Sequence, residues 1–239
     1  WPSIATSVSR LSQLSAQNIE ILNQVAEEDI GVIENINELP LSKLHEKSFE
    51  RANNIIRYMI LANGMNIPSM MTLQNGLRRI LENNNDKSVI EWKGCSIRKY
   101  NNNLYFLDNK DIEPNKVDVK IPWELEKKIN LGSNIGSIEA TFIHGHGLSI
   151  QKCKNKLTIS YRQGGELIKP VGHNMKKSLK NLYQENKILP WTRDKIPLIY
   201  CRDDLVSVAD LWLNQNYMAS QKEEGFFVNW HKTMVIKKN

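Results

Sequence analysis

Residues 161–200 read Tyr161-Arg-Gln-Gly-Gly-Glu-Leu-Ile-Lys-Pro-Val-Gly-His-Asn-Met-Lys-Lys-Ser-Leu-Lys-Asn-Leu-Tyr-Gln-Glu-Asn-Lys-Ile-Leu-Pro-Trp-Thr-Arg-Asp-Lys-Ile-Pro-Leu-Ile-Tyr200. Eight of these forty residues are Lys or Arg and three are acidic, a net +5, whereas the whole chain of 239 residues carries +6. Nearly all the excess positive charge therefore sits in one segment. Clustered cations that displace condensed counterions are what sequence-independent binding to a polyphosphate requires, so the cluster points to nucleic acid. A solvated basic helix face without a ligand is the competing reading.

The local pattern adds structure to the charge. Leu179, Leu182 and Tyr183 recur at the spacing of one helical face, with Asn174 or Ser178 as N-cap, and Pro190 is expected to stop the helix after Leu189. Lys176, Lys177 and Lys180 then lie towards water. Upstream, Gly164, Gly165 and Gly172 permit positive φ and a close backbone approach to a ligand, a turn opening onto a basic helix.

These pieces carry a resemblance. Arg162-Gln-Gly-Gly-Glu166, Gly172, Lys177-Ser-Leu-Lys-Asn-Leu-Tyr-Gln-Glu185, Leu189-Pro-Trp-Thr-Arg-Asp194 and Pro197-Leu-Ile-Tyr200 together resemble the C-terminal domain of the bacterial tRNA(Ile)-lysidine synthetase family.

Outward from this segment, the composition is that of ordinary globular protein, 41% hydrophobic and 24% charged, in a chain long enough for two modest domains. No run approaches the roughly 18 apolar residues of a membrane span, and no signal segment opens the chain. Cys95, Cys153 and Cys201 are widely spaced and odd in number, which indicates neither a disulfide framework nor a zinc site and fits a reduced cytoplasm. A first residue of Trp1 in place of Met suggests a piece of a longer protein.

Three helices are expected in the first hundred residues. One runs from an N-cap at Ser3 to about Asp29, with Ile4, Val8, Leu11, Leu22 and Val25 on one stripe; another covers Leu41 or Ser42 to Ala62; a third begins near Ser69 and closes in the polar run 82–86. The period then changes to alternation. Val89–Trp92, Cys95–Tyr100 and Leu104–Leu107, separated by Lys93-Gly94 and Asn101-Asn-Asn103, predict a small antiparallel meander. Arg51-Ala52, Arg57, Trp92-Lys-Gly94, Arg98-Lys-Tyr100 and Leu104-Tyr-Phe106 resemble the same family's substrate-binding middle domain.

The polar stretch 108–120, with Pro114, reads as a linker between a helical domain at 1–107 and a second domain at 121–239. After it, short β-rich runs at 121–123, 129–131, 136–143, 148–150, 157–161, 197–200, 205–209, 211–213 and 226–230 suggest a partly open barrel that receives the basic helix. The fold class is α+β, and the resemblance implies a C-terminal domain similar to a module of phenylalanyl-tRNA synthetase.

Catalytic signatures are weak by contrast. His144-Gly-His146 lacks a third metal ligand, and Gln163-Gly-Gly-Glu166 lacks the Gly-Lys-Ser/Thr of a phosphate loop. The family's nucleotide loop, Ser-Gly-Gly-x-Asp-Ser, has no counterpart, so no catalytic, cofactor-binding or metal residue is assigned in this chain. The resemblance implies a ligase that uses ATP and magnesium, held in an N-terminal catalytic domain, to join lysine to the wobble cytidine of the tRNA(Ile) with anticodon CAU. The present chain would hold that tRNA, through Arg162, Gly164, Gly165, Lys169, His173, Lys176, Lys177, Lys180 and Arg193, with Arg51 and Arg57 as contacts in the helical part. Homodimerisation stays open, as do two other readings: a free-standing basic scaffold or dimerisation module, and a hydrolase using His173 and Asp194.

Overall fold

The computed structural model describes residues 2–83, 88–112, 120–153 and 156–232. The chain divides into two compact units, Trp1–Asp111 and Ile112–Asn239.

The first unit sets helices against one antiparallel sheet. Helix α1 (Pro2–Ile30) is followed by strand β1 (Glu38–Pro40), the short helix α2 (Ser42–His45), α3 (Phe49–Ala62) and α4 (Met70–Glu82). Strands β2 (Val89–Trp92), β3 (Cys95–Tyr100) and β4 (Asn103–Asp108) complete a sheet of order β1-β4-β3-β2. Gly94 at φ +79° makes one hairpin, and Asn101 and Asn102, both left-handed, make the next. The long helix expected over 41–62 is broken, because Ser48 leaves the helical conformation to accept the Arg51 amide at 3.3 Å and so starts α3 afresh. Ser69 caps α4 in the same way. Gly76 lets α4 lie directly on the sheet, since a Cβ there would come within 2.6 Å of the Ile90 side chain. At the other end of α4, the buried Lys99 ammonium donates to the Asn83 carbonyl at 2.6 Å, a cation on the helix's negative end.

Helix α1 forms over the expected span but does not bury the expected stripe. Its last turns pack on α3 through Ala26 and Ile30, with the Asn54 amide donating to the Leu22 carbonyl at 2.6 Å. Ile4, Val8, Leu11 and Leu22 are all about half exposed or more.

Helix α5 (Asn109–Ile112) occupies the start of the polar stretch read as linker, and residues 113–119 of that stretch lie outside the described residues. The second unit then runs β5 (Ile121–Trp123), β6 (Ile129–Asn130), β7 (Ser137–His144), β8 (Leu148–Ser149), α6 (Ile150–Cys153), β9 (Leu157–Ser160), β10 (Leu167–Ile168), β11 (Lys177–Ser178) and α7 (Leu179–Glu185). A 3-10 helix at Pro190–Lys195 leads to β12 (Leu198–Cys201), β13 (Asp204–Val208), β14 (Trp212–Leu213), a 3-10 turn at Gln215–Tyr217 and β15 (Glu224–His231). The strands form two antiparallel sheets, β14-β13-β12-β9-β5 and β6-β7-β15-β8, beside the two-stranded β10-β11 hairpin. Where a partly open barrel is expected, these ladders make two separate sheets over one core, in which Trp123 meets Phe226 edge-on at 6.3 Å and Leu179, Leu182, Tyr183 and Leu198 are buried. The chain is thus α+β.

Candidate nucleic-acid interface

Strand β9 delivers the chain into the loop Arg162–Glu166, and the hairpin β10-β11 hands it on to α7. Ser178 is the cap of that helix, accepting the Asn181 amide at 3.3 Å. The helix ends at Glu185, before the point set by Pro190. Lys187 adopts φ +52°, its amide donates to the Gln184 carbonyl at 3.1 Å, and the Ile188 amide donates to Tyr183 at 2.9 Å. That double closure is a Schellman motif, with buried Ile188 and Tyr183 supplying its apolar contact. Pro190 instead opens the 3-10 helix.

The cations of the segment divide into engaged and open groups. Lys177 is half-buried and ion-paired with Glu185 at 2.8 Å, so it lies less towards water than its place beside the apolar face suggests. The Arg193 guanidinium folds back, donating through Nε and Nη2 to the Ile188 carbonyl at 2.9 and 2.7 Å. Lys195 is buried. Arg162 lies between two carboxylates, 3.4 Å from Asp194 and 4.0 Å from Glu166, with its Nε buried and without a hydrogen bond. Beside it the Tyr183 hydroxyl is also buried and unpartnered, and burial pushes its pKa well up. Burial, helped by the charge of Glu166, likewise pushes Tyr200 up to about 12.

Lys176 and Lys180 are exposed and form no ion pair among the described residues, Lys169 is half-buried, and His173 is exposed. Between Glu166 and Glu185 the chain has four lysines and no carboxylate. The open positive surface is therefore the hairpin and the first turn of α7.

Gly164 and Gly165 have φ of +107° and +86°, with nothing within 4 Å of a Cβ at either. The amides of Gln163 and Gly164 donate to the Glu166 carboxylate, at 2.5 and 2.7 Å. The loop's anion-binding amides thus hold a carboxylate of the same loop, and Gly164's amide does not face a ligand. This signal was present in the sequence, in a Glu two residues past a Gly.

Trp191 is half-buried in the 3-10 helix. Trp191→Ala is expected to cost about 1 to 2 kcal/mol, about 3 to 6 °C in the melting temperature of this unit, with tRNA affinity unchanged. Full thermal stability with loss of tRNA would instead make the indole a contact.

In the first unit, Arg51 forks onto Asp29, its Nε and Nη2 each 2.7 Å from a carboxylate oxygen, and Lys47 reaches the same carboxylate at 2.8 Å. Arg51 therefore ties α3 to the end of α1. Arg57 is exposed on α3. Hydrogen bonding from Arg51 holds Asp29 below its ordinary value, against the opposing effect of burial. A depressed carboxylate contributes stability that is full above the ordinary carboxylate range and is lost as pH falls through the depressed value. Thermal melts from pH 7 down to 3 should show this loss in the parent and a flatter profile in Asp29→Asn; parallel profiles would remove the assignment.

The other candidate chemistry does not assemble. Asp194 faces Arg162, and among the described residues no hydrogen bond or ion pair joins it to His173. His144 and His146 are exposed, and no group of three metal-ligating side chains occurs among the described residues. No described helix is long and apolar enough to cross a membrane.

Two substrate-handling domains define the class of this chain: residues 39–105 match the family model of the TilS substrate binding domain, and residues 157–230 that of the TilS substrate C-terminal domain. These matches together take in more than half of the chain, which belongs to the TilS family. Among curated relatives, the tRNA(Ile)-lysidine synthase of Coxiella burnetii is 29% identical over 95% of this chain and 51% of its own length. That of Nitrosomonas europaea is 26% identical over 98% and 51%, and that of Legionella pneumophila strain Lens 28% over 90% and 50%. The chain spans about half the length of these relatives. A crystal structure of a TilS C-terminal domain aligns over 48% of this chain and 96% of its own, with a TM-score of 0.40 and 16% identity.

Proposed function

We propose that this chain is the tRNA-holding part of a tRNA(Ile)-lysidine synthase, inactive alone, and that its open lysines meet tRNA phosphates. The observation that carries the reading is the carboxylate-free run between Glu166 and Glu185, within the stretch that matches the TilS substrate C-terminal domain. The order of the two family domains along the chain supports it. In this reading the substrate is the tRNA(Ile) with anticodon CAU. The full enzyme spends ATP to join lysine to its wobble cytidine, and an N-terminal catalytic domain supplies the adenylating residues.

The residues present do not fit a nucleotide. The chain's one Gly-Gly pair lies in a loop whose amides are held by Glu166. No step of adenylation is therefore assigned to this chain.

Titration of a tRNA(Ile) transcript with the purified chain across a salt series is the test. Four neutralised phosphates give a log–log slope of about −3.6, from about 0.9 per phosphate. In parallel the chain should exchange no pyrophosphate into ATP, with or without tRNA and lysine. A slope near zero removes the counterion basis of the proposal, and measurable exchange means an active site lies in this chain. Weak RNA retention with tight self-association would support the scaffold reading.

A further inference from the structure

The hairpin tip between β10 and β11 keeps apolar side chains in water on a backbone that is pinned. Val171 and Met175 are 51% and 78% exposed, with exposed His173 between them. The Val171 amide donates to the Leu213 carbonyl at 3.2 Å, the Gln215 amide to the Lys169 carbonyl at 2.8 Å, and the His173 amide to the Pro170 carbonyl at 3.1 Å. Gly172, at φ +83°, makes the turn that this anchoring needs. These bonds hold the backbone of Val171 directly, and Met175 lies two residues before the start of β11. Their hydration is an unfavourable term that persists in the free chain and is relieved when a partner covers them.

The surroundings define that partner. Lys169, Lys176 and Lys180 flank the tip, with no carboxylate in the run that contains them. Apolar and planar groups set among ammonium groups are complementary to unpaired nucleotides, whose base faces stack while their phosphates meet cations. An RNA duplex presents phosphates and sugar edges with its bases stacked inside, and would leave Val171 and Met175 in water. A lipid surface combines acyl chains with anionic headgroups, but stable adsorption relies on a broad apolar face with large anchors, which two aliphatic side chains do not make.

We propose that the tip Val171–Lys176 seats unpaired nucleotides of an RNA, with Val171, His173 and Met175 against base faces and Lys176 and Lys180 against phosphates. This inference rests on the RNA-holding reading above and adds to it the single-stranded character of the contact.

The test is the double variant Val171→Ser/Met175→Ser, which keeps every charge and every anchoring hydrogen bond. It is titrated with a tRNA, a short unstructured oligoribonucleotide and a blunt-ended RNA duplex, with the melting temperature as control for folding. Affinity for the tRNA and the oligomer should fall severalfold, as the apolar cover that Val171 and Met175 give to the bases is lost. Affinity for the duplex and the salt slope should not change. Equal losses on oligomer and duplex, or no loss on the oligomer, overturn the proposal. Adsorption to phosphatidylserine vesicles that the variant loses, with RNA affinity untouched, overturns it in favour of a membrane surface. A parent chain that binds none of the three RNAs overturns the RNA-holding reading as well, an outcome distinct from a variant that merely fails to discriminate.

Discussion

Charge reversal of Lys176 and Lys180 together to glutamate is expected to lower tRNA affinity at least tenfold at low salt, with an unchanged melting temperature. Both side chains are exposed, and neither is in an ion pair among the described residues. Their reversal therefore disturbs no packing. If each meets one phosphate, the log–log salt slope should also flatten by about two, from about 0.9 per contact. Lys177 is the informative contrast. It lies 2.8 Å from Glu185, so Lys177→Glu would set two carboxylates against each other at the junction of β11 and α7 and lower stability along with binding. Parent-like affinity of the Lys176/Lys180 variant in the same titration would remove the hairpin and helix from the interface.

Gly225→Ala should be more disruptive than loss of most large core side chains. Gly225 lies in β15 between Ile143 of β7 and Ser149 of β8, and an added Cβ would fall 1.9 Å from the His146 carbonyl oxygen. That oxygen is backbone and cannot swing away, so the ladders on both sides of β15 must part. A cost of about 4 kcal/mol or more is expected, a fall in melting temperature on the order of 15 °C, or no cooperative melting of the second unit. A variant melting within a few degrees of the parent would show that β15 can shift to accept the methyl group.

What was legible beforehand follows from which forces are local. The hairpin at Lys93-Gly94 could be read because a left-handed glycine between alternating runs is a property of neighbouring residues. The short β1 could not, since Glu38-Leu-Pro40 has one buried side chain and gains its strand character by pairing with β4, some 65 residues away. The apolar period of α1 located the helix correctly, yet periodicity says which face is apolar and not what covers it. Ile4, Val8 and Leu11 are exposed for that reason. At the candidate interface, a count of lysines and arginines gave the location of positive charge but not its partners. Glu185 neutralises Lys177 from eight residues away and Asp194 faces Arg162 from thirty-two. The charge that remains open is thus smaller than +5 and more sharply placed, on the hairpin and the first turn of α7.

The loop at Arg162–Glu166 carries its own competitor for any incoming anion. Its two donor amides are held by a carboxylate tethered two and three residues away. A ligand on so short a tether acts at an effective concentration of millimolar or above, and it is present whether or not any partner has arrived. A phosphate from solution or from an RNA strand would have to outbid a rival that never diffuses off. Gly164 and Gly165 therefore serve the loop's shape: they let the chain close into a clasp locked from within, between the end of β9 and the lysine-bearing hairpin.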